Sequence, residues 1–188
     1  MYWNKNIDIL HQCLSEISFR YIEGTEIGAD AGFIEWLKQT QEIRKSNNTI
    51  FFVGNGASAS MACHMAADVA KNGRIKTQVF TDVSLITAIA NDISYDEVFA
   101  EPVKLQMEEN DMLIAISSSG SSKNVIRACE ESRKKNAQVV TLSAMKRVNS
   151  LQSLGDINIY IPAKTYGWAE SGHAIILHYW MDLVQSSL

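Results

Sequence analysis

Proline is nearly absent: the 188 residues contain two. That leaves no Pro-rich linker, and no internal repeat is found, so residues 1–188 read as a single domain with one core burying about two thirds of the unfolded surface. Cysteine is scarce as well. Cys13, Cys63 and Cys129 are odd in number, widely spaced and form no CxxC pair. They read as reduced thiols of a cytoplasmic protein rather than a disulfide framework or a zinc ribbon. No apolar run is long enough to cross a bilayer. The first twenty residues are broken by charges every few positions, which does not fit a signal peptide. Excess positive charge is missing too: 17 Lys and Arg against 21 Asp and Glu give −4, which argues against a general nucleic-acid binder.

What is present is an alternation. Trp3, Ile7, Leu10, Leu14, Ile17 and Tyr21 recur at three- and four-residue steps and predict an amphipathic helix over 3–23. A break at 24–32 precedes a second helix, Phe33 to Lys45. Short β-branched runs follow at 49–53 (TIFFV), 77–80 (TQVF), 112–116 (MLIAI), 138–142 (QVVTL) and 157–161 (INIYI). Each is continuous rather than alternating, as in strands buried on both faces. Helical stretches separate them at 58–72, 84–90, 96–108, 121–134 and 148–154, and a last helix covers 169–185. The expected class is α/β: a doubly wound, five-stranded parallel sheet flanked by helices, with N-terminal helices before it.

In such sheets ligands sit where strand C-termini meet helix N-termini. Two loops there are made of small residues. Gly54-Asn55-Gly56-Ala57-Ser58 follows the first strand, and Ser117 to Ser122 (SSSGSS) follows the third. Clustered hydroxyls and backbone N–H groups at the positive end of a helix form an anion site suited to phosphate. A single serine there, Ser58 included, is read equally as a helix cap. Downstream of the first loop, His64 and Asp68 lie four residues apart on one helix face, which is either a site or a plain surface pair. His178 lies on an all-round apolar helix that must be covered by core or by another subunit. His173 is about 140° away around that helix at ~100° per residue and takes a structural or interface role. Cys63 reads as a packing thiol, and Glu131 to Asn136 as a solvated helix end.

Five features occur in order: GNGAS, the His64/Asp68 helix, Ala90-Asn91-Asp92, ISSSG at 116–120, and a last helix with His173 and His178. In this the chain resembles the sugar isomerase (SIS) domain family, most closely its phosphoheptose isomerase branch. The resemblance covers nearly the whole chain. It implies that Asn55, Gly56, Ser58, Asp92, Ser117, Ser118, Ser119, Ser122 and Glu170 contact substrate and phosphate. It also implies that Asp68 and His178 are catalytic, and that His64, Asp68, Glu170 and His178 match the positions that bind zinc in some members. No nucleotide cofactor is implied. The family assembly is a homotetramer with active sites shared between subunits, here with 1–46 as a helical oligomerisation segment and 47–188 as the α/β core. Departures are Ala57 for a glycine, Asp68 for a glutamate, Trp168 for an arginine, Glu170 for a glutamine, and a loop at 163–168 one residue short.

The implied activity is aldose–ketose isomerisation of a phosphorylated sugar, sedoheptulose 7-phosphate to a heptose 7-phosphate, supplying lipopolysaccharide or capsule precursors in the cytoplasm. Moving a proton between C1 and C2 through an enediol needs a base for the carbon-bound proton and an acid for the oxygens, and carboxylate and imidazole suit these roles near neutral pH. The alternatives are a sugar-phosphate sensor without turnover and a tetrameric adaptor resembling the initiator-associating protein of bacterial replication. That adaptor branch lacks the acidic residue and the final histidine, both of which this chain keeps.

Overall fold

The computed structural model describes residues 2–188. The N-terminal part runs α1 (Trp3–Ser15), β1 (Ser18–Tyr21), β2 (Glu26–Ile27) and α2 (Ala29–Lys45). Next come β3 (Thr49–Gly54), α3 (Ala57–Gly73), β4 (Lys76–Val79), α4 (Val83–Asp92) and α5 (Ala100–Gln106). The chain closes with β5 (Met112–Ser117), α6 (Lys123–Lys134), β6 (Gln138–Ala144), β7 (Ile157–Ile161) and α7 (Tyr166–Ser186). Short 3-10 turns occupy Tyr95–Glu97 and Ser150–Ser153, where helix was expected from 96 and over 148–154.

One sheet of seven strands holds these together, in the order β2-β1-β7-β6-β5-β3-β4. The five expected strands are its parallel body. Of the two added strands, β2 lies in the break at 24–32, and β1 corrects the helix expected over 3–23. That helix stops at Ser15, and Ser18–Tyr21 pairs antiparallel with β7, Phe19 opposite Ile159. Ile17 and Tyr21 continue the helical spacing by coincidence; the chain there is extended, and Phe19 is fully buried.

Residues along each strand split by parity between two cores. Ile50, Phe52, Ile114 and Ile116 face the α2, α3 and α7 layer. Phe51, Val53, Leu113 and Ala115 face the α5 and α6 layer. This two-sided burial is why the strand sequences run apolar without alternation. On the first side Trp36 and Trp180 stack with centroids 4.4 Å apart and planes 5° apart. The Trp180 indole N–H donates to Thr40 Oγ1 at 3.1 Å, tying α7 to α2.

From β3 the chain moves to β4 on one side, then crosses back to β5 on the other. The reversal lies between β3 and β5, the switch point where doubly wound sheets open a crevice at their C-terminal edge. Both small-residue loops leave the sheet there.

Candidate active site

The loop after β3 is shaped by close packing. A Cβ on Gly54 would meet Ser58 Cβ at 2.7 Å, so strand and helix touch only because no side chain intervenes. Gly56 takes a positive φ of 56° at the N-cap of α3, and the cap makes no side-chain hydrogen bond. Ser58 is therefore not the cap. It is the second helical residue, buried, and lines a cavity. Ala57 opens the helix and is not among the residues of positive φ, so its methyl group is accommodated.

The serine loop after β5 is fixed by its own backbone. Gly120 adopts φ +63°, and any Cβ there would lie 2.1 Å from Asn149 Oδ1. The Gly120 carbonyl accepts from Leu151 N at 3.0 Å. Ser117 Oγ donates to Ser122 Oγ at 3.0 Å. Ser122 sits at the N-cap of α6 yet makes no capping hydrogen bond; Asn124 Oδ1 accepts from the Val125 N–H at 3.0 Å, and the N–H groups of Lys123 and Asn124 are left open. Ser118 is 6% exposed, and its Oγ has no partner among the described residues. An unpaired buried hydroxyl beside an open helix N-terminus is a cradle short of an acceptor.

Asn55, Ser58, Ser117, Ser118, Ser119 and Ser122 line one cavity of about 160 Å³ between these loops, together with Tyr166 and Glu170 from the start of α7. Sequence reading missed two supporting residues here. Asn124 exchanges reciprocal amide hydrogen bonds with Asn55, at 2.8 and 2.9 Å, and Tyr95 Oη donates to Asn55 Oδ1 at 3.2 Å. An asparagine in the first turn of the helix behind the serine loop was the available signal for Asn124. Tyr166, also missed, had none beyond its nearness to Glu170.

A second constellation lies farther along the same two helices. α3 and α7 both begin at the cavity, with Ser58 and Glu170, and run away from it side by side. Six residues after Ser58 comes His64, and eight after Glu170 comes His178, displacements of about 9 and 12 Å at ~1.5 Å per residue. There His64 Nε2 lies 3.2 Å from His178 Nε2 and 3.3 Å from Asp68 Oδ2. His178 Nδ1 is 2.8 Å from the Ala174 carbonyl. A carbonyl only accepts, so Nδ1 carries the proton, and Nε2 of the neutral ring presents its lone pair to the cluster.

The ligand atoms of His64, Asp68 and His178 all lie within 4.8 Å of one another. Two imidazole nitrogens and a carboxylate suit Zn²⁺, with a fourth position left for substrate. The backbone bond to the far nitrogen of His178 is the kind of support that orients a ligating imidazole. Glu170, expected as a fourth ligand, does not join this group; it lies at the serine cavity. Asp92, expected at the sugar, ends α4 on an exposed surface, where its Oδ1 accepts from Asn91 at 2.9 Å, and it does not line the cavity. Cys63 packs half-buried, its Sγ 3.1 Å from Thr81 Oγ1 and outside the cluster. His173 is fully buried, and desolvation pushes its pKa down to about 4. Neither ring nitrogen makes a hydrogen bond of regular geometry, although the Ser143 backbone lies near.

Comparison with known proteins decides the family. The SIS domain model matches residues 37–144. The chain is 36% identical over 167 residues to the phosphoheptose isomerase of Helicobacter pylori, covering 82% of this chain and 85% of that one. The chain belongs to the SIS domain family, in its phosphoheptose isomerase branch. The phosphoheptose isomerase of Shewanella oneidensis is 34% identical over 149 residues, 75% of this chain and 76% of the relative. Among solved structures, the phosphoheptose isomerase from Neisseria gonorrhoeae superposes with a TM-score of 0.78 at 26% identity, over 83% of this chain and 86% of that one. A phosphoheptose isomerase from Francisella tularensis reaches 0.84 at 21% identity over 97% and 96%, a likeness of SIS fold.

Proposed function

We propose that the chain is an aldose–ketose isomerase that converts sedoheptulose 7-phosphate to a heptose 7-phosphate. One observation carries the reading. An uncapped serine cradle and a His–Asp–His cluster lie along one helix seam, their residues offset by about 9 Å along α3 and about 12 Å along α7 at ~1.5 Å per residue, a span on the scale of a phosphorylated sugar. The phosphoryl group docks on the Ser117–Ser122 loop at the N-terminus of α6. The carbonyl end of the sugar then reaches down the seam toward His178. Anchoring the far end holds the reacting carbons beside the cluster, which converts binding into orientation.

Asp68 removes the proton from C1 and returns it to C2. The imidazole Nε2 of His178 carries the oxygen-borne proton from O1 to O2, completing the enediol shift. Asp68 Oδ2 lies 3.3 Å from His64 Nε2, and the ligand atoms of both lie within 4.8 Å of that of His178. With zinc present, His64, Asp68 and His178 would hold the ion, the Nε2 lone pair of His178 would serve the metal in place of the proton, and Glu170 would remain at the serine cavity. The chemistry zinc supplies when bound is Lewis-acid polarisation of the substrate's C1 and C2 oxygens.

The cluster is open to solvent, with the His64 side chain 55% exposed. Beside it on α7, Ile175 and Tyr179 are close to half exposed, and α4 buries none of its residues despite its apolar sequence. These surfaces support a homotetramer in which a neighbouring subunit covers the seam and brings Asp92 to the sugar. No helix among the described residues is long and apolar enough to cross a membrane, and the reading places the enzyme in the cytoplasm, feeding lipopolysaccharide or capsule precursors. The test is direct: purified protein is incubated with a panel of ketose phosphates, with and without zinc, and the aldose is sought. Aldose formed from sedoheptulose 7-phosphate supports the reading, and its absence from every incubation sinks it.

A further inference from the structure

The serine cavity holds no cation of this chain. Its lining contains no lysine, arginine or histidine. Lys123, which follows the loop, is turned toward Asp96, with Nζ 3.9 Å from the carboxylate. The one charged group that lines the cavity is negative: the carboxylate of Glu170, which makes no hydrogen bond or ion pair among the described residues. Next to it Tyr166, the first residue of α7, is 60% exposed, and its hydroxyl also has no protein partner among the described residues. A phosphoryl group seated here is held by neutral donors and the α6 N-terminus on one wall and meets a phenol and a carboxylate on the other.

A carboxylate beside an anion site is a penalty for any ligand that offers only phosphate. It becomes favourable when the ligand brings a hydroxyl next to its phosphate ester, because a carboxylate accepts such a hydrogen bond strongly. The phenol suits the complementary task. It donates to a phosphoryl oxygen, and its ring, fixed by two torsions, covers the pocket at small entropic cost.

We propose that Tyr166 and Glu170 form the specificity wall of the phosphate pocket. Tyr166 closes over the phosphoryl group as a neutral donor, and Glu170 reads a hydroxyl on the carbon adjacent to the phosphate ester. The pocket thereby selects polyol phosphates over free phosphate and simple alkyl phosphates. The inference rests on the serine loop being the phosphate site.

The test uses three probes and the full chain: inorganic phosphate, propyl phosphate and glycerol 3-phosphate, followed by NMR titration with a chelator present so that the histidine cluster plays no part. The two esters share a three-carbon frame and differ in their hydroxyls. Wild type is expected to bind glycerol 3-phosphate about tenfold more tightly than propyl phosphate. Tyr166→Phe should weaken all three by about fivefold, leaving their ranking intact. Glu170→Gln should tighten inorganic and propyl phosphate by about tenfold and so shrink the preference for the polyol ester. Circular dichroism confirms that both variants fold. Unchanged binding in both variants overturns this inference alone. Equal wild-type affinity for the two esters does the same. A wild type that binds no phosphate compound overturns the serine-loop reading and this inference together.

Discussion

The serine cradle and the histidine cluster are built on opposite terms. The cradle is a backbone device: Gly54 and Gly120 permit contacts no other residue allows, and the loop's shape is settled by hydrogen bonds to its own chain. The cluster is a side-chain device on two helix surfaces, half exposed, with one backbone bond fixing one ring. The first is shaped by its own chain, while the second stands open to solvent. Rigid scaffold for the invariant part of a substrate and adjustable side chains for the reacting part is a division that lets chemistry change while binding persists.

Breaking the cluster should therefore cost turnover and spare binding. His178→Asn and Asp68→Asn are each expected to lower turnover by about 10²-fold or more, the usual range for a lost general acid or base. The affinity for sugar phosphate should move by no more than about threefold if the cradle carries binding. Steady-state kinetics and titration of the same proteins check the two halves separately.

His173 sharpens the contrast, since it shares α7 with His178 and is wholly enclosed. Its folded pKa of about 4 lies below the ordinary 6.5, so the unfolded chain binds more protons between those values. Stability from this group is fully present above about pH 6.5 and is lost as pH falls toward 4. The loss is on the order of 3 kcal/mol. Urea unfolding across that window should show it, and a His173→Gln variant should flatten that part of the curve.

Breaking the cradle should have the reverse profile. Gly120→Ala forces a left-handed alanine against Asn149, and a loss of about 2 kcal/mol is expected. That corresponds to a melting temperature lower by about 4–8 °C for a chain of this size. The double change Ser119→Ala with Ser122→Ala should leave the fold intact and weaken sugar-phosphate binding by about tenfold, the effect of losing a hydrogen bond to a charged group. Turnover at saturation should survive.

The sequence made much of this legible where one residue type answered one physical demand. The five parallel strands were readable because burial on both faces leaves a continuous apolar run. The two loops were readable because only small residues pass between strand and helix so closely. β1 was hidden: four residues, Ser18–Tyr21, whose pairing with β7 is non-local and across which Ile17 and Tyr21 kept helical spacing. The Asn55–Asn124 amide pair was equally invisible, since the two lie 69 residues apart and meet through the β3–β5 neighbourhood. Glu170 and His178 were expected around one metal from the family resemblance, but in this structure their side chains lie at different ends of the seam. Asp92 lies outside both ends of the site within one chain.

The central claim is that a sugar phosphate bound at the cradle is deprotonated at the cluster. Incubation with sedoheptulose 7-phosphate in deuterated water reads this without coupling to later enzymes. The account predicts deuterium at C2 of the aldose product and at C1 of recovered ketose, with both signals lost in His178→Asn and Asp68→Asn. A wild-type protein that binds the sugar phosphate yet exchanges no carbon-bound proton, with zinc or without it, would contradict the account and leave a sensor.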